Sequence, residues 1–134
     1  MTATASATGD PFVYADDVAS VGVKHSHVAV VPRGIEGRDA LFRCLVRQLS
    51  LPEHFGANWD ALDECLRDLS WIERHRVVLF HESLPALEDE HLTTYLAILR
   101  DALLDWRRDL DDELVVALPF SARERVLRLP WLDG

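Results

Sequence analysis

The sequence predicts an α/β fold, a small three-stranded parallel sheet with helices packed on it, and three observations predict it. Three short runs, Val28 to Val31, Val77 to Phe80 and Leu114 to Leu118, are apolar and largely β-branched, as strands are. The runs are continuous rather than alternating, which marks strands buried on both faces and therefore paired in parallel. Between them lie segments whose apolar residues repeat at helical spacing, so the order is strand, helix, helix, strand, helix, strand.

Residues 1 to about 9 are small and polar without periodicity, and are expected to be disordered at least at the start. Phe12 to Lys24 holds Phe12, Val13, Tyr14, Val18, Val21 and Val23 with no clean period. It is read as an arm that can add a short strand. The first predicted strand ends at Pro32, and Gly34 and Gly37 mark a turn. From Arg38 to Leu49 the positions Leu41, Phe42, Leu45, Val46 and Leu49 form a helical stripe, with Asp39 and Arg43 placed for an i, i+4 pair. A loop at 50–57 leads to a second helix running to about Leu69, with Asn58 or a close neighbour as its N-cap. After the strand at Val77, Pro85 and its acidic neighbours give a connection, and a long helix is predicted from about Glu90 to Asp109. Its apolar side carries Leu92, Tyr95, Leu96, Leu99, Ala102, Leu103 and Trp106. Beyond Pro119, Ser121 and Glu124 have the spacing of a capping box, which predicts a last helical turn packed on the body. The chain thus divides into an arm over 1–24, a domain over 25–119 and a C-terminal extension over 120–134. No internal repeat is present.

With 134 residues the chain fits one domain that needs no staples. No stretch approaches the roughly 18 apolar residues of a membrane span, and the start lacks the basic and apolar regions of a secretory signal. A cytoplasmic protein without membrane contact is expected. Cys44 and Cys65 sit among apolar neighbours on predicted helices, where a small buried hydrophobe is the commoner role. The net charge of −9 makes nucleic acid a poor partner, since phosphates would be repelled, and favours a basic protein.

The charge is concentrated in the second helix and the loop before it, LPEHFGANWDALDECLRDL. Between Glu53 and Asp68, Glu53, Asp60, Asp63, Glu64 and Asp68 face the single arginine Arg67. Leu62, Cys65, Leu66 and Leu69 make a buried stripe, and the acids point the other way. Asp60, Glu64 and Asp68 form a column of like charges one turn apart, each pair costing roughly 0.2–0.5 kcal/mol in an isolated helix. The first-turn position of Asp60 suits the helix dipole, and Arg67 can reach back to Asp63 or Glu64. A solvated face on an acidic protein would explain the column without function. A docking face for a basic partner is the other reading.

Catalytic readings find less. Asp60 and Glu64 are close enough for a paired-carboxylate hydrolase, but such chemistry needs a concave, dry site around both. His25 and His27 lack a third ligand nearby in sequence, which leaves no metal or cofactor expected; His75, His81 and His91 read as ordinary surface or boundary residues. No nucleophile-elbow, phosphate-loop, dinucleotide or zinc-protease motif occurs. Trp59 can be either an interface anchor or a core-facing ring.

The stretch also resembles the signature of the barstar family, the small intracellular inhibitors of secreted ribonucleases. The resemblance is carried by Leu51, Pro52, Phe55, Gly56, Asn58, Asp60, Ala61, Leu62, Glu64, Cys65 and Leu66. It implies a fold of the kind already read from the apolar runs and a non-enzymatic antitoxin or immunity role, with a basic ribonuclease of barnase type as partner. By the same resemblance Asp60 and Glu64 would meet the nuclease's basic catalytic residues. His54 and Phe55 would touch the pocket rim, Gly56 and Asn58 would shape the loop, and Trp59 and Asp63 would complete the surface. There are departures. Glu64 stands where the family usually has aspartate, Asp63 where the familiar inhibitor has an aromatic ring, and His54 where it has tyrosine. A further acid from the later helix would be Asp101 or Asp105 by helical phase. These departures keep open a module of the same fold that docks a protein other than a nuclease.

Overall fold

The computed structural model describes residues 4–5, 10–52, 56–73, 75–107 and 111–132. The three apolar runs become the centre of the sheet. Ser26–Val31 (β3), Arg76–His81 (β4) and Glu113–Leu118 (β5) lie parallel, with Val28 opposite Val78 and Leu79 opposite Val116. The sheet is wider than the three strands expected: Val13–Tyr14 (β2) adds a fourth parallel strand beside β5, and Thr4–Ala5 (β1) pairs antiparallel with β2, giving the order β1-β2-β5-β4-β3. Two residues are too few to show a period. What makes β2 a strand is its pairing to Ala117 and Leu118, a partner far along the chain.

Continuous apolar strands bury both faces. On one face Ala29, Val31, Val77, Leu79, Val116 and Leu118 join the main core beneath the helices Arg38–Leu49 (α1), Trp59–Asp68 (α2) and Asp89–Trp106 (α3). On the other, Val78, Phe80, Val115 and Ala117 are covered by a smaller cluster that includes Val18 and Val21 from a 3-10 turn over Val18–Val21. Arg76 pins that turn, donating 2.6 Å hydrogen bonds to the carbonyls of Val21 and Gly22 while pairing with Glu113 at 2.7 Å. The open edge of β3 is closed by α1: the Val30 amide donates to Gln48 Oε1 at 2.9 Å, and Cys44 Sγ donates to the Val30 carbonyl at 3.5 Å. The backbone donor and acceptor of Val30, which would otherwise invite a foreign strand, are thereby used.

The chain ends interlock behind α3. Phe12 and Trp131 are fully buried with ring centroids 4.8 Å apart, and Arg123 lies over the ring of Tyr14. Asp10, also buried, accepts from the Phe12 amide at 2.8 Å and from the Tyr14 hydroxyl. The expectation of disorder at residues 1–9 falls mostly on residues outside the described ones, as does the end of α3 expected at Asp109.

Three local expectations are corrected. Asp39 does not pair with Arg43; it lies 3.9 Å from Arg38. The capping box does not form, because Phe120–Ala122 continues as a 3-10 turn into Arg123–Arg128 (α4), which starts at Ala122 without a side-chain cap, and Glu124 pairs with Arg128 instead. His81 is no surface residue. It ends β4 with none of its surface exposed, because the strand is covered on both sides up to its last position.

Candidate functional site

The second helix starts where the sequence supplies a cap. Asn58 is extended, and its Oδ1 accepts from the Ala61 amide at 2.8 Å, satisfying one of the orphan donors of the first turn. The far end closes on Leu69, whose left-handed backbone lets its amide bond the Cys65 carbonyl at 3.0 Å. Leu62, Leu66 and Leu69 are buried, and Trp106 Nε1 of α3 donates to the Leu66 carbonyl at 2.8 Å. Trp59 turns toward the core, with its ring 5.0 Å from Phe42, 6.0 Å from His91 and 6.3 Å from Tyr95. Both ends and one side of α2 are therefore fixed to the body. The loop before it carries Ala57 at φ 50, a left-handed conformation, beside Gly56, where an added Cβ would lie 3.0 Å from Asn58 Nδ2. His54 and Phe55 lie outside the described residues.

Beneath this platform runs a buried polar chain. His81 Nδ1 is 2.9 Å from the Ala117 carbonyl and Nε2 is 2.7 Å from the Tyr95 hydroxyl. A carbonyl only accepts, so Nδ1 carries the proton and Nε2 accepts from Tyr95. Burial pulls the imidazole down to about 4, with the Ala117 carbonyl opposing, so the ring is neutral at pH 7. Burial likewise pushes the Tyr95 hydroxyl up, with Cys44 adding to the rise.

Outward, the helix presents its acids. Asp60, Glu64 and Asp68 are exposed, and among the described residues none of their carboxylates makes an ion pair or hydrogen bond. Asp63 differs. Arg67 Nε donates to its Oδ1 at 3.1 Å, and Arg67 Nη2 reaches Asp101 of α3 at 3.9 Å. The two aspartates hold the Arg67 guanidinium above its ordinary value, Asp63 first through its hydrogen bond. Asp101 is held in turn by Arg100 Nη2 at 2.9 Å. A groove of about 340 Å³ between α2 and α3 is lined by Trp59, Asp60, Asp63, Ala97, Asp101 and Pro130. Glu64 is not among its walls. Asp60 and Glu64 thus share a projecting helix face, and not the enclosed, dry site that two catalytic carboxylates require.

Of the remaining sequence candidates, His27 uses Nε2 on the Gln48 carbonyl at 2.8 Å, and His25 is exposed. Among the described residues no group of three or more His, Cys, Asp or Glu could hold a metal ion, and no helix is long and apolar enough to cross a membrane. Cys44 and Cys65 are free thiols, both raised chiefly by burial; Glu64 and Asp68 add to the rise at Cys65. Sequence reasoning passed over Arg100, Pro130 and Trp131, which border the acidic face only because the C-terminal segment folds back against α3. The sequence predicts that this segment packs on the body, but nothing near it in sequence says on which face.

Comparison with known families places residues 26–118 in a match to the family model described as barstar (barnase inhibitor). No curated protein matches the chain.

Proposed function

Because the chain belongs to the barstar family, we propose that it neutralises a basic cytotoxic ribonuclease of barnase type by covering the nuclease active site with α2 and the loop before it. The observation that carries the reading is the exposed column on α2. Asp60 and Glu64 stand one turn apart on a helix fixed at both ends, and among the described residues their charges are not spent on arginines. Leaving like charges together costs stability and brings no fold in return. It does suit a surface that must meet cations. A ribonuclease holds RNA phosphates with Arg, Lys and His, and a carboxylate on a rigid support can take a phosphate's place through charge-assisted hydrogen bonds. The net charge of −9 would steer the encounter. The barnase and barstar pair is the standard illustration of such steering.

In this reading Asp60 and Glu64 are the principal contacts. Trp59 holds the helix, Asn58 and Gly56 shape its approach, Asp63 and Asp101 flank the contact, and His54 and Phe55 reach the rim from the loop. The protein acts in the cytoplasm, without a metal or cofactor, as a binder and not as an enzyme. Titration of barnase with the chain, followed by RNA cleavage, is the test: stoichiometric inhibition that excess RNA relieves supports the proposal. Continued cleavage by barnase and other small basic ribonucleases in the presence of excess chain would refute it. The Asp63–Arg67 pair, standing where the familiar inhibitor has an aromatic ring, favours a second reading, in which the same surface docks a protein that is not a nuclease. Recovery of a neutral or acidic protein, and no nuclease, on the immobilised chain would select it.

A further inference from the structure

The C-terminal segment lies beyond the family match, which ends at residue 118, yet it reaches the acidic face. The 3-10 turn Pro130–Leu132 packs on α3, with the Trp131 ring buried and its Nε1 donating to the Val126 carbonyl at 2.6 Å. The Trp131 carbonyl accepts from Arg100 Nη1. The same guanidinium donates to Asp101 Oδ1 through Nε at 3.0 Å and approaches it through Nη2 at 2.9 Å. Arg67 Nη2 lies 3.9 Å from the other oxygen of Asp101, and Arg67 Nε holds Asp63. An unbroken series of polar contacts therefore runs from Trp131 through Arg100, Asp101 and Arg67 to Asp63.

The members of this series are not equally exposed. The Arg100 side chain keeps 12% of its surface, against 38% for Asp101, 42% for Arg67 and 30% for Asp63. A largely desolvated guanidinium held by a backbone carbonyl has one orientation, and fixed planar donors then orient the carboxylate they meet. The exposed end of the series has no such support of its own. Without Arg100, Asp101 would be free to turn to water, and Arg67, left with Asp63 and the charge of Asp105, would lose the contact that fixes its guanidinium against Asp63.

We propose that Arg100, anchored by the C-terminal segment, is a positioning residue for the partner surface: it sets Asp101 and, through Arg67, Asp63, so that residues outside the family match tune which basic partner fits. This rests on the acidic face being the docking surface. Arg100 lies behind that surface and acts through Asp101, so its removal should have an effect opposite to that of its charge. Coulomb attraction alone would make Arg100→Gln, which adds net negative charge, bind a basic protein faster and more tightly.

Two measurements on the full chain test the proposal. In the free protein, the Arg67 Nε–H signal seen by NMR, protected by Asp63, should broaden or vanish in Arg100→Gln and return in Arg100→Lys. A signal unchanged in Arg100→Gln would overturn the proposal whatever the partner is. With barnase as the probe, Arg100→Gln should dissociate faster than the parent chain despite its added negative charge, and the effect should disappear in an Asp101→Asn background. Equal or tighter binding by Arg100→Gln would overturn it too. A parent chain that leaves barnase active while the Arg67 signal behaves as expected would remove the inhibitor reading and leave the positioning role in place. Thermal melts of each variant establish that the fold is retained.

Discussion

Acidification should destabilise this protein through one side chain. His81 is fully buried and neutral, bonded on both ring nitrogens, and held down to about 4 from an ordinary value of 6.5. A depressed value means that the unfolded chain takes the proton first. The contribution of His81 is therefore complete above pH 6.5, shrinks as the pH falls below that, and is lost as the pH passes through about 4. At about 1.4 kcal/mol for each pH decade between the two values, the loss is roughly 3 kcal/mol. Against a domain stability of about 5–15 kcal/mol, that is enough to bring acid unfolding within reach. Urea unfolding from pH 7.5 to 3.5, on the parent chain and on His81→Gln, isolates the effect from the carboxylates that both share. Glutamine keeps a donor for Ala117 and an acceptor for Tyr95 but cannot charge. The parent should be the more stable at pH 7.5, and its advantage should shrink by about 3 kcal/mol on going to pH 4. A difference between the two that stays constant with pH would refute the reasoning.

Two further substitutions probe the support of α2. Trp106→Phe keeps an aromatic ring on the core but removes the indole N–H and its 2.8 Å bond to the Leu66 carbonyl, so urea unfolding should show a loss of about 1 kcal/mol or more and α2 amides should exchange faster; unaltered stability and exchange would show that the clip does not hold the helix. Ala57→Gly relieves a left-handed backbone at φ 50, so stability should rise by up to about 1 kcal/mol, and a lower melting temperature would contradict the strain.

Much of this architecture is legible in the sequence because its signals are local. Arg38–Leu49 emerges with the limits its periodicity implies, and the cap of α2 is Asn58 as its position before the apolar stripe suggests. Helical phase alone places Asp60 and Glu64 outward, and i, i+4 spacing alone brings Arg67 to Asp63. What escapes the sequence depends on distant partners. Val13 and Tyr14 become a strand only beside Ala117 and Leu118, and His81 is buried only because Ala117 and Tyr95 arrive from two other elements. The series from Trp131 to Asp63 joins the C-terminal segment, α3 and α2, and no pattern within any one of them encodes it.

The most direct test of the inhibitor account is the affinity of Asp60→Ala and Glu64→Ala for barnase, measured beside their thermal melts. Both side chains are exposed and make no ion pair among the described residues, so folding should be unchanged. Each variant should bind roughly 2–5 kcal/mol more weakly, a loss of about 30-fold or more, because the nuclease cations they meet would be left buried and unpaired. Parent-like affinity in both variants would contradict the account.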